Sequence, residues 1–119
     1  HSAMIHPDGR LSMFDNGVCK NPKLSRALVY TLHERDTLIE LKEELTPDDP
    51  VFALAMGSYF LYAGGRSLAG WGKNARSLLF TEYLDGELVL EAWSTPCRWD
   101  PTPRDSAEVK SMLRNLGYL

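Results

Sequence analysis

The residues of this chain with chemistry to offer are three histidines, two cysteines and a scatter of serines and arginines. A neutral imidazole is nucleophilic near neutral pH and titrates close to it, so each histidine is a candidate nucleophile or base. His6 adjoins a Pro-Asp-Gly turn and His33 lies in the charged run His33-Glu34-Arg35-Asp36; both read as surface residues. His1 opens the short stretch HSAMI, a place more often held by a hydrogen-bonded structural histidine than by a nucleophile. Three scattered histidines have no metal-ligand spacing, so neither a metal nor another cofactor is expected. Cys19 and Cys97 permit one intrachain pairing, lack CxxC spacing, and are too few for a disulfide framework; free, buried or half-buried thiols are the expectation. Gly64-Gly65 and Gly70-x-Gly72 lack the following helix that a phosphate-binding loop needs, which argues against a nucleotide.

Composition narrows the classes further. The chain has 119 residues, 44% hydrophobic and 24% charged, enough for one modest core or a piece of a larger one. A net charge of -3 argues against a nucleic-acid partner, which needs a clustered basic surface. No apolar run reaches the length of a membrane span, and no signal peptide is visible. The chain starts at His1 without an initiator Met, and it is expected to be the C-terminal piece of a longer protein.

The elements that would position these residues are strands. HSAMI, the turn Pro7-Asp8-Gly9-Arg10 and LSMF read as a hairpin, since Gly tolerates the positive φ of such turns. Asp15-Asn16-Gly17 turns the chain again, and a third strand resumes at Ser25-Arg26-Ala27-Leu28-Val29-Tyr30. Residues 38–45, LIELKEEL, contain good helix formers, yet they follow a hairpin-like turn and are short; a fourth strand is expected. Thr46-Pro47-Asp48-Asp49-Pro50 stops either kind of element. The second half then repeats the first. An apolar inner strand covers 51–61, Ala63-Gly64-Gly65-Arg66 is the matching turn, and 67–71 is the second strand. Gly70, Gly72 and Asn74 stand in for the Asp-Asn-Gly cluster, and 77–84 and 87–93 supply the third and fourth strands. A repeat of roughly 50 residues holding four strands is the signature of propeller blades, which need neighbours around a channel. The expected fold is therefore all-β, with two four-stranded antiparallel blades at about 1–45 and 51–94 and a closing segment to 99. In the tail, 100–119, Asp105 and Glu108 have capping-box spacing. A short helix with Val109, Met112, Leu113 and Leu116 on one stripe should begin near Ser106. Trp71, Trp93 and Trp99 read as packing between blades.

Across residues 1–99, the ordered set of His1, the Asp-Gly hairpin, FDNG, SRALVY, Met56-Gly57-Ser58, the Gly-Gly-Arg turn and Gly70-Trp71-Gly72 resembles the arylsulfotransferase family of β-propellers. The resemblance implies a propeller, expected to have six blades. It also implies transfer of sulfate from a phenolic sulfate ester to a phenol without a nucleotide donor, in a secreted, extracellular or periplasmic setting. It makes His1 the nucleophile that carries the sulfuryl group, lying toward the channel. Aligning the blades puts Gly57 in the place of His1 and Ser58 in that of Ser2. Ser58 would then be a donor to a sulfate or phenol oxygen. Arg26 would reach an anion at the channel mouth, or else pair with Asp15, which the family pattern sets beside it. Partners implied are the aryl sulfate, the phenol and the missing upstream blades. The rival expectation is a propeller that keeps the architecture as a binding or interaction module without transfer chemistry.

Overall fold

The structure, a computed structural model, describes residues 1–94 and Arg114. Residues 1–94 are all-β: β1 (Met4–Ile5), β2 (Arg10–Asp15), β3 (Arg26–His33), β4 (Leu38–Leu45), β5 (Ala53–Ala55), β6 (Ser58–Leu61), β7 (Arg66–Gly70), β8 (Lys73–Asn74), β9 (Leu78–Leu84) and β10 (Glu87–Trp93). Sequential antiparallel pairing makes one sheet of β1-β2-β3-β4 and a second of β6-β7-β9-β10, while β5 and β8 form a small separate ladder. Neither sheet closes on itself. The helix expected from near Ser106 falls, apart from Arg114, outside the described residues, as do Cys97 and Trp99.

The two hairpin turns are built alike. Gly9, at φ 82°, lets the chain double back so that the His6 amide donates to the Arg10 carbonyl at 2.8 Å. In the second sheet the Tyr62 amide donates to the Arg66 carbonyl at 2.8 Å. The Gly9 carbonyl then accepts from the Leu32 amide, and the Gly65 carbonyl from that of Asp85. Residues 38–45 pair with β3 along their length, with one bulge beside Val29; cross-strand pairing outweighs the helix propensity of LIELKEEL. Most of β4 is exposed, and its Glu40, Lys42 and Glu44 put charges along a sheet edge.

Residues 51–61, expected to be one buried strand, are broken instead. Met56 and Gly57 take φ of 65° and 108°, which ends β5 and turns the chain into β6. Leu54 and Met56 point outward as a result. The cause is competition for partners: β5 pairs with β8, whereas β6 pairs with β7. The expected first strand is also shorter, with a break at Ser2 (φ 54°), although His1 still pairs with Phe14 beyond it.

The core lies between the sheets. Phe14, Ala27, Val29 and Leu45 on one side meet Tyr59, Ala69, Trp71 and Tyr83 on the other. Phe14 and Trp71 are both at most 1% exposed and meet edge to face, with centroids 5.4 Å apart. Trp71 Nε1 donates to Thr81 Oγ1 at 2.9 Å, which satisfies its polar atom. Trp93, by contrast, is exposed, with Arg76 over its ring. The Tyr59 and Tyr83 hydroxyls are buried without a hydrogen-bond partner among the described residues. Burial pushes the Tyr59 phenol up, and that of Tyr83 up to about 12.

Matching the turns shows how the sheets are related. With Arg10 set against Arg66, Phe14 corresponds to Gly70, Ala27 to Phe80, Met13 to Ala69 and Tyr30 to Tyr83. Phe14 and Ala27 face the shared core, whereas their counterparts Gly70 and Phe80 alternate with core-facing Ala69 and Thr81 and so lie on the far face. Conversely Met13 and Tyr30 lie on the far face of the first sheet, whereas Ala69 and Tyr83 face the core. The sheets therefore stack front to back, and not as mirror-related halves of a sandwich.

Candidate functional site

His1 is held by its backbone. Its nitrogen donates to the Phe14 carbonyl at 2.8 Å, and its carbonyl accepts from the Phe14 amide at 2.9 Å. Ser58 pairs with Gly70 in the second sheet. Because Phe14 corresponds to Gly70, the structural counterpart of His1 is Ser58, one residue beyond the Gly57 that the sequence alignment favoured. The offset is the extra residue in the break at Ser2, which no gap-free comparison of the halves reveals.

The two first-strand ends open onto one concavity of ≈ 480 Å³, lined by His1, Met56, Gly57, Ser58, Gly70 and Gly72. The structure thus brings together His1 and Ser58, two of the three expected site residues. Two glycines, Gly57 and Gly72, are required in this wall. A Cβ on Gly57 would fall on the Phe14 ring, one on Gly70 would approach Ser58 Oγ to 2.7 Å, and one on Gly72 would meet the Ala55 carbonyl at 2.5 Å. The Met56-Gly57 turn is fastened from the first sheet: Asn16 Nδ2 donates to the carbonyls of Ala53 and Met56, each at 2.8 Å. Ser25 completes the fastening, its Oγ donating to the Asn16 carbonyl and accepting from the Ala53 amide, both at 2.8 Å.

Asn16 is the site residue that sequence reasoning undervalued. It was visible only as the middle of a turn triplet, and its partners lie 37 and 40 positions away. A hint lay in Asn74 of the second half, which bonds the backbone in the same manner, with Nδ2 donating to the Leu78 carbonyl at 2.8 Å.

Arg26 stands elsewhere. It lines a different cavity, of ≈ 340 Å³, with Lys20, Asn21, Pro22 and Leu24 among its neighbours. Its Nη1 lies 2.8 Å from Glu44 Oε2, and its Nε and Nη2 each donate to Asp15 Oδ2 at 3.1 Å. These carboxylates, Glu44 foremost, raise the guanidinium above its ordinary value. The expected alternative, a pairing with Asp15, is what the structure contains. His6 is half-buried, its Nε2 2.8 Å from the Oγ of buried Ser12, while His33 is exposed 3.2 Å from Glu40. Cys19 is exposed, so the expectation of a buried or half-buried thiol fails there; its loop projects beyond β2 and β3 into solvent.

Electrostatically the concavity is plain. Of its lining residues only His1 has a titratable side chain, and among the described residues no Lys or Arg lines it. No group of three His, Cys, Asp or Glu could hold a metal among the described residues. No helix among them is long and apolar enough to cross a membrane. The arrangement offers one exposed imidazole, one hydroxyl and close access to backbone. Set against known protein families, characterised proteins and solved structures, the chain matches none.

Proposed function

We propose that residues 1–94 are two successive blades of a β-propeller of arylsulfotransferase type, and that His1 carries a sulfuryl group from a phenolic sulfate ester to a phenol. The observation behind this reading is the meeting of His1 and Ser58, from equivalent strand ends of two front-to-back sheets, at one concavity walled by glycine. An imidazole nitrogen of His1 attacks sulfur, the S–O bond to the aryl group breaks, and the phenolate leaves. The acceptor phenol oxygen then attacks the same sulfur, the N–S bond breaks, and the phenolic proton passes to solvent or base. Ser58 donates its hydroxyl to a sulfuryl oxygen. Charge building on those oxygens needs cationic donors as well. The reading assigns these to further blades upstream in the same polypeptide.

A second reading, a binding or interaction propeller without transfer chemistry, is favoured by one observation. Arg26, the cation expected at the channel mouth, is engaged by Asp15 and Glu44 instead. The test uses the protein with its remaining blades. Incubation with an aryl sulfate and no acceptor should leave sulfate mass on the peptide that contains His1. His1→Ala and His1→Asn should abolish transfer while the thermal melt stays unchanged. Full activity in those variants, with no adduct in the parent, refutes the nucleophile assignment and leaves the binding module.

A further inference from the structure

Among the described residues that line the His1 concavity, Met56 alone has a long apolar side chain, and it is 67% exposed. Its backbone sits at φ 65°, a left-handed conformation that non-glycine residues rarely adopt and that costs stability. Glycine would hold the same turn without that cost, as Gly57 does next to it at φ 108°. The turn by itself therefore does not call for methionine. Nor does the core, which Met56 does not join. Yet the strained residue is fixed in place, since its carbonyl accepts from Asn16 Nδ2 at 2.8 Å. Strain of this kind persists where the surroundings impose it, and it gathers at sites that present a side chain to a ligand.

We propose that Met56 is a specificity-determining residue of this concavity, its thioether packing on the aromatic ring of a phenol or phenolic ester. The rest of the wall suits a flat ring. Gly57, Gly70 and Gly72 carry no side chain, so a ring can come close to the bare peptide. The concavity, ≈ 480 Å³, has room for a single ring and its substituent. An unbranched, polarizable thioether gains from contact with a ring when the sulfur lies ~5 Å away, and it adapts to rings of different substitution. His1 and Ser58 carry the polar side chains of the lining among the described residues, which leaves Met56 to the ring and those two to its oxygen. The inference rests on the reading of the concavity as the place of a phenolic ring, but it concerns binding and not transfer.

The test is equilibrium titration of phenol, and of cyclohexanol as a ring without π electrons, into the protein with its remaining blades. Met56→Ala and Met56→Gly should each weaken phenol binding about tenfold, the worth of a sulfur–ring contact with its buried methylenes. Met56→Leu keeps the volume and loses the sulfur. It should bind phenol less tightly than the parent and lose the parent's preference for phenol over cyclohexanol. In one variant stability should move against binding: Met56→Gly relieves the strain at φ 65° and should raise the urea midpoint while phenol affinity falls. A methionine with a structural role alone would lower both or leave both unchanged. A parent that binds no phenol overturns the inference, and so does Met56→Gly with parental phenol affinity or a lowered midpoint. Absence of the sulfate adduct at His1, with these outcomes intact, refutes transfer and leaves Met56 in its role. An adduct with phenol binding indifferent to Met56 removes Met56 alone.

Discussion

Gly57 and Phe14 should be energetically coupled, and the coupling tests whether the wall of the His1 concavity rests on the core. Gly57→Ala places a non-glycine residue at φ 108°, a strained conformation costing about 1–3 kcal/mol. Its methyl also falls on the Phe14 ring, and overpacking of that kind costs about 1–3 kcal/mol more. Phe14→Ala removes a ring that is 1% exposed and packed edge to face on Trp71, a loss of about 3–5 kcal/mol. In the double variant the vacated ring space accepts the methyl, the overpacking disappears, and only the backbone strain adds to the cavity. The two changes together should therefore destabilise by about 1–3 kcal/mol less than their sum. Urea unfolding of the four proteins, with denaturant slopes compared to check that the transition keeps its character, measures this. Phe14→Leu gives a milder cycle if the alanine variant does not fold. Costs that add to within about 0.5 kcal/mol would show that Gly57 does not lie on Phe14, and the positioning of Ser58 beside His1 would lose its physical basis.

Tyr83 sets an alkaline limit. Its folded phenol is raised to about 12 from an ordinary 10.0, so its contribution is complete below the ordinary value and is lost as pH rises through the folded one. Urea midpoints should fall steadily above that ordinary value. In Tyr83→Phe the fall should be shallower, with a cost near neutral pH of about 1 kcal/mol or less, because the buried hydroxyl has no partner to lose. An unchanged alkaline profile would exclude Tyr83 as its source. Arg26→Ala should cost about 1 kcal/mol, since Glu44 and Asp15 are partly solvated, and should leave the rate of His1 carbethoxylation as it was. A marked change in that rate would return Arg26 to the site.

The strands were legible because their signals are local. Asp8-Gly9 and Gly64-Gly65 mark hairpins by the backbone freedom they need, and alternation through 87–93 has the period of a strand. Even LIELKEEL was resolved by its place after a turn, against its helix propensity. The recurrence of these signals in two halves likewise matches the two four-stranded sheets. The break at Met56-Gly57 was not legible, because 51–61 is apolar apart from Gly57 and Ser58, and hydrophobicity does not say which neighbour a strand will pair with.

What the sequence determined by itself was the all-β class and the two four-stranded sheets, since both depend on residue type and short spacing. What only the tertiary structure decided was which residues meet. His1 came to match Ser58 through a one-residue break at Ser2. Asn16 came to hold the Met56-Gly57 turn across 40 positions, and Glu44 joined the expected Asp15 on Arg26. Each of these is a choice among hydrogen-bond and ion-pair partners far apart in the chain. Such choices depend on sheet register, and register is settled only when both sheets bury their faces together.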